Sequence, residues 1–390
     1  MTPAAPARYR LTGLRTMPAQ VWGAVRLVPL VRDTPVPGLR LHQRLYDEPH
    51  LVDVGDGSVY ASYIPHAFVA TWEGDREPAA AYGTRLLDKD LKGIRPPRMP
   101  IRTTRRMARR VDKDRLRFLP MHLALEGYLA LHFGGPEISW AEWSARAVRT
   151  GLSPRCEESY LGAQVRGLDD ALRIFEIHPG QCGVLVYVAD ALATAFVVPH
   201  PEDYRALHRT LLEDQYGELI YQYGRMGLPA GDLGGRIDQA RVRSLADLRA
   251  EAARVREEWA AFHDDVMAAR LFDEEGTVRE VQYLEGFALS RFLPSFRLRR
   301  EGHIGEAITD DDGNVAYLKS FRLSDGQTKR GHLLSGLAAN DWSLKLTAAA
   351  LGTDETTLAL RLDRSGFGHL LRQDVLDHYR ARARRSETGR

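Results

Sequence analysis

Two neighbouring apolar runs near the middle of the chain give the clearest hydrophobic pattern. The two runs are Cys182–Val188 (CGVLVYV) and Leu192–Val198 (LATAFVV). Both are rich in β-branched residues, and a short connection separates them. Continuous apolar runs of this length are typical of strands that are buried on both faces. Because Ala189 and Asp190 can form a turn between them, the pattern predicts a hairpin of two buried strands.

A long helix is predicted directly after this hairpin. Pro201 fixes a helical φ for the first turn, and Glu202 and Asp203 place carboxylates at the positive end of the helix dipole. Apolar side chains then recur at three- and four-residue spacing as far as Tyr223, so one stripe of the helix should pack on the sheet. Gly224 is the expected end of the helix.

Further strands are predicted on both sides of this central unit, between turn signals such as Asp56-Gly57 and Asp312-Gly313. A second long helix is predicted over Ser244–Leu271, with Leu245 and Leu248 on its packed face. These elements predict an α+β fold with a mostly antiparallel sheet and packed helices. The predicted extended regions are Val25–Val31, Leu39–Tyr46, Val59–Tyr63, Phe68–Trp72 and 287–321.

Three short helices are predicted at the end of the chain. They cover His332–Ala339, Trp342–Leu351 and Asp354–Ser365, and Gly352 separates the second from the third. Small or apolar residues stand where the last two helices must touch. Two short helices joined by a glycine-containing turn are the pattern of a helix-turn-helix.

The pattern divides the chain into three parts. A flexible arm is predicted over residues 1–16, an α+β core over 17–326, and an all-α domain with a basic tail over 327–390. Because Asp325-Gly326 is a turn signal after the last predicted strand, we expect Gln327–Arg330 to form an exposed hinge.

Composition narrows the class of protein. The chain has 390 residues, 44% of them apolar, which is enough to bury a sizeable core. A net charge of +2 favours no class of partner. Two cysteines argue against a disulfide framework and a cysteine-rich zinc site. Because no stretch approaches the roughly 18 apolar residues of a membrane span, we expect a cytoplasmic protein without a membrane partner.

Basic charge is concentrated in one segment, residues 95–117 of the core. Arginine supplies 48 of the 54 basic side chains of the chain, and this segment has the highest local density. Such a density can neutralise phosphates of a polyanion, although a solvated linker explains the run equally well. The candidate polyanion-binding residues are Arg102, Arg105, Arg106, Arg109 and Arg110.

Four polar side chains near predicted strand ends are the candidates for catalysis: His66, His178, Cys182 and His200. Imidazole and thiol groups can act as base and nucleophile when they converge in a pocket. A buried cysteine and structural histidines are the alternative interpretation. The sequence indicates no metal and no cofactor.

The C-terminal pattern resembles the Fis-type DNA-binding module. Thr347-Ala348-Ala349 enters the turn, Leu351-Gly352 lies at it, and Thr357-Leu358, Arg361-Leu362 and Gly366 follow in order. The resemblance implies contacts to duplex DNA. The pattern departs from a DNA-binding helix at Asp354 and Glu355, whose charges repel phosphate. The candidate DNA-binding residues are Lys345, Thr356, Thr357, Arg361 and Arg364.

Residues 25–321 resemble a second family, the ARG- and rhodanese-phosphatase-superfamily-associated proteins. Four phrases carry the resemblance: VRLVPLV at Val25, YIPH at Tyr63, QCG at Gln181 and PHPEDYRALHRTLLEDQYGELIYQY at Pro199. The resemblance implies a context of ADP-ribose or conflict biology and no catalytic set.

Two functions follow from these patterns. The first is a non-enzymatic regulatory or adaptor protein whose partner is duplex DNA, another protein or a second copy of the chain. The second is an enzyme that acts on a nucleotide-derived or phosphorylated substrate in the core. A pocket that joins two of the catalytic candidates with arginines would favour the enzyme.

Overall fold

A computed structural model gives the fold of most of the core and of the C-terminal helices. It describes residues 11–41, 51–53, 59–62, 69–72, 79–80, 84–86, 173–189, 191–212, 216, 219–225, 236–263, 271, 275–284, 286–300, 302–365 and 367–388. Within these ranges the chain has fifteen strands and six α-helices. His66 and the basic segment lie outside the described residues.

The strands are β1 (Leu14–Thr16), β2 (Gln20–Trp22), β3 (Val25–Arg32), β4 (Leu39–Leu41), β5 (Leu51–Asp53), β6 (Val59–Ser62), β7 (Val69–Trp72), β8 (Ala79–Ala80), β9 (Thr84–Leu86), β10 (Gln181–Val188), β11 (Ala191–Val197), β12 (Thr277–Leu284), β13 (Phe287–Leu293), β14 (His303–Asp310) and β15 (Val315–Arg322). The helices are α1 (Pro201–Thr210), α2 (Leu245–Phe262), α3 (Asp325–Ala339), α4 (Leu344–Ala350), α5 (Glu355–Arg364) and α6 (Gln373–Thr388).

A nine-stranded antiparallel sheet forms the core, in the order β1-β3-β10-β11-β15-β14-β13-β12, with β2 also paired to β3. Two three-stranded sheets, β4-β7-β8 and β5-β6-β9, hold the remaining strands. The predicted α+β fold with a mostly antiparallel sheet is therefore confirmed. Residues 14–16, which the sequence placed in a flexible arm, form β1, and Leu11 and Leu14 pack against the core.

The predicted central hairpin is present as β10 and β11. Ala189 makes the turn with φ +55°. Alternate residues of β10 enter different core clusters, since Val184 lies in one and Leu185 in the other. Side chains of a strand point to alternate faces, so a sheet covered on both faces requires the continuous apolar run seen in the sequence.

The helix after the hairpin is shorter than predicted. α1 ends at Thr210, and a π-helical turn covers Ile220–Arg225. Tyr216 N donates to Leu211 O, a bond across five residues that departs from α-helical register. Apolar spacing of three and four predicted one helix because it does not report this local change of register.

Gly224 serves packing rather than helix termination. It lies within the π-helical turn, and a Cβ there would sit 3.0 Å from the Trp22 ring. A Cβ on Gly23, which has φ +58°, would in turn overlap the Gly224 carbonyl. The two glycines therefore permit a close backbone approach between β2 and this turn.

α2 begins as predicted, because the Ser244 hydroxyl accepts from Asp247 N and caps the first turn. Its packed face is shorter than predicted. Leu245 and Leu248 are exposed, while Trp259 and His263 at the other end form ring contacts. Among the described residues of the predicted apolar stripe, Phe262 packs against the core, whereas Leu245 and Leu248 do not.

The expected exposed hinge at Gln327–Arg330 is wrong. Ser324 caps α3, and the Gln327 side chain bonds back to Ser324 N, which completes a capping box. Gln327 and Thr328 are buried. A helix therefore starts at Asp325, where the sequence indicated a turn. The division of the chain into a core and a C-terminal domain stays a prediction, and the boundary proposed for it falls inside α3.

α3 contacts both parts of the molecule. Leu334 belongs to the core cluster on the sheet, whereas Leu333 and Leu337 pack with the C-terminal helices. Gly331 faces Phe296, and a Cβ at this glycine would overlap the ring. Phe296 itself adopts φ +50°, a conformation that is unfavourable for a bulky residue and is held here by burial.

The three predicted C-terminal helices are observed with shifted ends. The second begins at Leu344 rather than Trp342, because Asp341 and Trp342 have φ of +51° and +59° and Ser343 caps the helix. Gly352 has φ +61° in the turn between α4 and α5. The apolar contact between these helices is formed by Ala348, Leu358 and Leu362 together with α3. A sixth helix, α6, follows. Among the described residues no helix is long and apolar enough to span a membrane.

Two alanine substitutions within α3 test its packing. Gly331→Ala should destabilise the protein by about 1–3 kcal/mol, because the new methyl group overpacks against Phe296. Gly326→Ala, in the exposed first turn, should be neutral or stabilising by up to about 1 kcal/mol, because alanine favours a helix. Urea denaturation followed by circular dichroism gives both values. Equal effects of the two substitutions would contradict the packing of Gly331 against Phe296.

Candidate functional site

Three of the four catalytic candidates lie at one end of the β10–β11 hairpin. Cys182 is at the start of β10, His178 precedes this strand, and His200 follows β11. The strand ends are joined there, since Val198 N donates to Cys182 O at 2.7 Å. The fourth candidate, His66, is outside the described residues.

Each of these side chains makes a contact typical of a structural role. The His200 ring accepts from Glu202 N at 3.2 Å and so caps α1. His178 Nδ1 donates to the Pro179 carbonyl at 2.7 Å. Burial raises the pKa of the Cys182 thiol to about 11, although the nearby Arg32 guanidinium acts in the opposite direction. A thiol with this pKa is protonated at neutral pH and is a weak nucleophile.

A partly buried ion pair fixes the start of α1 beside this end of the sheet. Arg40, on β4, donates to Asp203 through Nε at 3.0 Å and Nη2 at 2.8 Å. The Asp203 carboxylate is completely buried. The pair raises the pKa of Arg40, chiefly through its hydrogen bond to Asp203. The sequence predicted that the Asp203 carboxylate interacts with the positive end of the helix dipole. It did not predict the contact of Asp203 with Arg40 on β4.

A charged cluster in the core was missed by the sequence analysis. Glu306 and Lys319 stand opposite each other on β14 and β15, and both are buried. The Tyr317 hydroxyl donates to Glu306 at 3.1 Å, and the Lys319 ammonium lies 5.6 Å from the centre of the Phe321 ring. Burial lowers the pKa of Lys319 to about 8, partly offset by Glu306. The sequence did contain a signal for this cluster, since Glu306 and Lys319 occupy inward-facing positions of otherwise apolar strands.

A second buried polar cluster lies on the opposite face of the sheet. His263, at the end of α2, stacks on Tyr187 and on Trp259, and its Nδ1 lies 3.0 Å from the Tyr187 hydroxyl. Arg26 approaches the Trp259 ring at 5.9 Å. Burial and the Arg26 charge lower the pKa of His263 to about 4. The histidine is therefore neutral at physiological pH.

In the C-terminal helices the DNA-binding candidates fall on an outward face. Leu358, Ala359 and Leu362 are the buried residues of α5. At 100° per residue the opposite side carries Thr357, Arg361 and Arg364, and all three are exposed. Thr356 lies at the border of this face, and Lys345 is exposed on α4. We call Thr357, Arg361 and Arg364 the outward face of α5.

The carboxylates of α5 are engaged within the protein. The Asp354 side chain caps the helix, accepting from Thr357 N at 3.0 Å and from the Thr357 hydroxyl at 2.5 Å. Glu355 accepts from the Tyr379 hydroxyl of α6 at 2.6 Å, and Asp363 pairs with Arg380 at 2.8 Å. The carboxylate of Glu355 is therefore directed towards α6. α6 turns it and Asp363 away from the outward face.

The family of the chain follows from comparison with known proteins. A family model described as ARPP-2 matches residues 9–285, more than half of the chain, and the chain therefore belongs to the ARPP-2 family. This agrees with the resemblance of residues 25–321 to the ARG- and rhodanese-phosphatase-superfamily-associated (ARPP) proteins. None of the curated proteins or solved structures compared with the chain matches it. Residues 347–366 lie beyond the matched part, so the Fis-type resemblance stays a prediction.

The buried His263 should make stability depend on acid pH. Its pKa is about 4 in the folded protein against 6.5 in the unfolded chain, so its contribution is complete above pH 6.5 and is lost as pH falls towards 4. The loss should reach about 3 kcal/mol at pH 4. Urea denaturation of wild type and His263→Gln across this range measures it, and the variant should lose about 3 kcal/mol less. Parallel losses in both proteins would contradict the assignment.

Proposed function

We propose that this ARPP-2 family member is a non-enzymatic regulatory or adaptor protein that binds duplex DNA through α4 and α5. The observation that carries the proposal is the separation of charge on α5. Its arginines lie on the outward face, while Glu355 and Asp363 bond to α6. This arrangement reduces the repulsion of phosphate by Glu355, while the exposed Asp354 carboxylate is engaged in capping the helix.

The binding mode follows from the helix-turn-helix resemblance. The first turn of α5 enters the major groove, where Thr356 and Thr357 are placed to contact base edges. Arg361 and Arg364 follow on α5, and Lys345 lies on the preceding helix; these side chains bind phosphates. Phosphate contacts supply affinity and position, and the threonines supply the limited sequence preference.

The contacts of the catalytic candidates favour this proposal over an enzyme. His200 caps α1, and the Cys182 thiol is protonated at neutral pH. Nucleophilic catalysis needs a thiolate or an adjacent base, and the buried thiol beside Arg32 meets neither condition. The ADP-ribose or conflict context implied by the resemblance of the core describes the setting in which such an adaptor would act.

The basic segment is the second element of the proposal. Arg102, Arg105, Arg106, Arg109 and Arg110 lie outside the described residues, and their binding to a polyanion stays a prediction. Its role can be tested separately from that of α5, because Arg105, Arg106, Arg109 and Arg110 can be reversed to Glu without replacing any residue of the C-terminal helices.

Removing the two arginines of the outward face should weaken DNA binding and its dependence on salt. For the double variant Arg361→Ala, Arg364→Ala we expect the slope of log affinity against log salt to fall by about two, one for each lost phosphate contact. Fluorescence anisotropy of full-length protein with a labelled duplex, at several salt concentrations, measures the slope.

A matched control is Arg249→Ala, Arg256→Ala on α2, which removes two exposed arginines distant in sequence from the C-terminal helices. The control should bind as wild type does. If the α5 variant and the control are indistinguishable from wild type, α5 is not the DNA contact.

A further inference from the structure

The end of α6 carries a dense group of basic side chains that the binding mode above does not use. Four arginines occur within Arg380–Arg385. Arg380 pairs with Asp363 and Asp377. The side chains of Arg382, Arg384 and Arg385 are exposed. Arg382 and Arg385 are three residues apart, so their side chains lie on the same side of the helix.

The acidic residues of α6 are Asp374 and Asp377 in its first half and Glu387 in its last turn. Asp374 pairs with Arg372 at 2.9 Å, and Asp377 pairs with Arg380 at 3.3 Å. From Arg380 to Arg385 no acidic residue interrupts the run. Arginines near a helix C-terminus also stabilise the helix dipole, by about 0.3–1 kcal/mol each. That effect accounts for basic charge in the last turn, but the run extends over a turn and a half.

α6 contacts the N-terminal end of α5, which is the end that a recognition helix inserts into the major groove of DNA. Tyr379 bonds to Glu355, the first residue of α5, and Leu376 is buried nearby. Arg382 follows Tyr379 by three residues, a rise of about 4.5 Å along the helix. A DNA backbone bound at the start of α5 is therefore within reach of the arginine side chains of α6.

We propose that Arg382 and Arg385 of α6 form a second phosphate-binding element, which contacts the backbone of the duplex beside the groove occupied by α5. This inference rests on the proposed function and extends it. Since phosphate contacts carry no sequence information, these arginines should add affinity to every duplex equally.

The composition of α6 favours a nucleic acid over a lipid surface. A helix that lies on a membrane needs a large apolar face in addition to basic residues. In α6 the large apolar side chains are Val375, Leu376 and Tyr379, which are partly or fully buried, and only alanines accompany the exposed arginines. The positive charge is thus not coupled to an apolar surface.

The test compares three matched double variants of the full-length protein: Arg382→Ala, Arg385→Ala in α6; Arg361→Ala, Arg364→Ala in α5; and Arg249→Ala, Arg256→Ala as control. Anisotropy with two labelled duplexes of unrelated sequence is measured between 50 and 200 mM salt. The α6 variant should lower the salt slope by about two for both duplexes, a roughly 16-fold smaller loss of affinity over this range. Arg382→Lys, Arg385→Lys should keep the wild-type slope.

The outcomes separate the two proposals. If the α5 variant loses binding and the α6 variant matches the control, the proposed function stands and the role of α6 is refuted. If wild type does not bind either duplex, both fail. Binding to phosphatidylserine-containing vesicles that only the α6 variant loses, without loss of DNA binding, would assign the arginines to a lipid surface. Circular dichroism confirms that each variant is folded, and Gln replaces Ala in any variant that is not.

Discussion

The pairing of β11 with β15 holds the nine-stranded sheet together. β1, β2, β3, β10 and β11 come from the first half of the described chain, and β12–β15 follow residue 276; the two groups meet only at this pair. Ser320 reinforces the junction, since its carbonyl accepts from the Thr194 hydroxyl at 2.5 Å and its hydroxyl accepts from Ala195 N at 3.0 Å. The ARPP-2 match ends at residue 285, so the strand that joins the halves lies beyond it.

Hydrogen bonds and ion pairs between polar side chains also shape the C-terminal helices. α5 alone would present acidic and basic groups to a ligand together. Because Tyr379 and Arg380 of α6 bind Glu355 and Asp363, the two signs of charge are separated onto different sides of α5. A hydrogen bond to a charged group stabilises a protein by about 1.5–3 kcal/mol when shielded, and less at an exposed site. The contribution of these contacts is therefore mainly the orientation of charge.

The sequence pattern correctly predicted those elements that are determined by residues close together in the chain. The β10–β11 hairpin, the β3 strand and the start of α2 at Ser244 follow from apolar runs and capping residues close in sequence. The shortened α1 and the buried start of α3 were not predicted, because a helical register and the burial of Gln327 are decided by neighbours on other elements. Lys319 and His263 were missed for the same reason: one strand or one helix does not reveal what faces it across the core.

The outward face of α5 could be placed from the sequence only in part. The residue types at Arg361 and Arg364 are visible in the resemblance, and the spacing of Leu358 and Leu362 fixes the buried side. The neutralising partners of the acidic residues come from α6, more than twenty residues away for Glu355. No local pattern connects these positions.

The position of α3 has a thermodynamic consequence. Because one helix supplies Leu334 to the sheet and Leu333 and Leu337 to the C-terminal cluster, the two clusters share a cooperative element. Any ligand that binds the folded C-terminal helices draws the whole equilibrium towards the native state, by RT ln(1 + [L]/Kd). A ligand bound to the C-terminal helices thereby stabilises the sheet against unfolding, without a change in the structure of the protein.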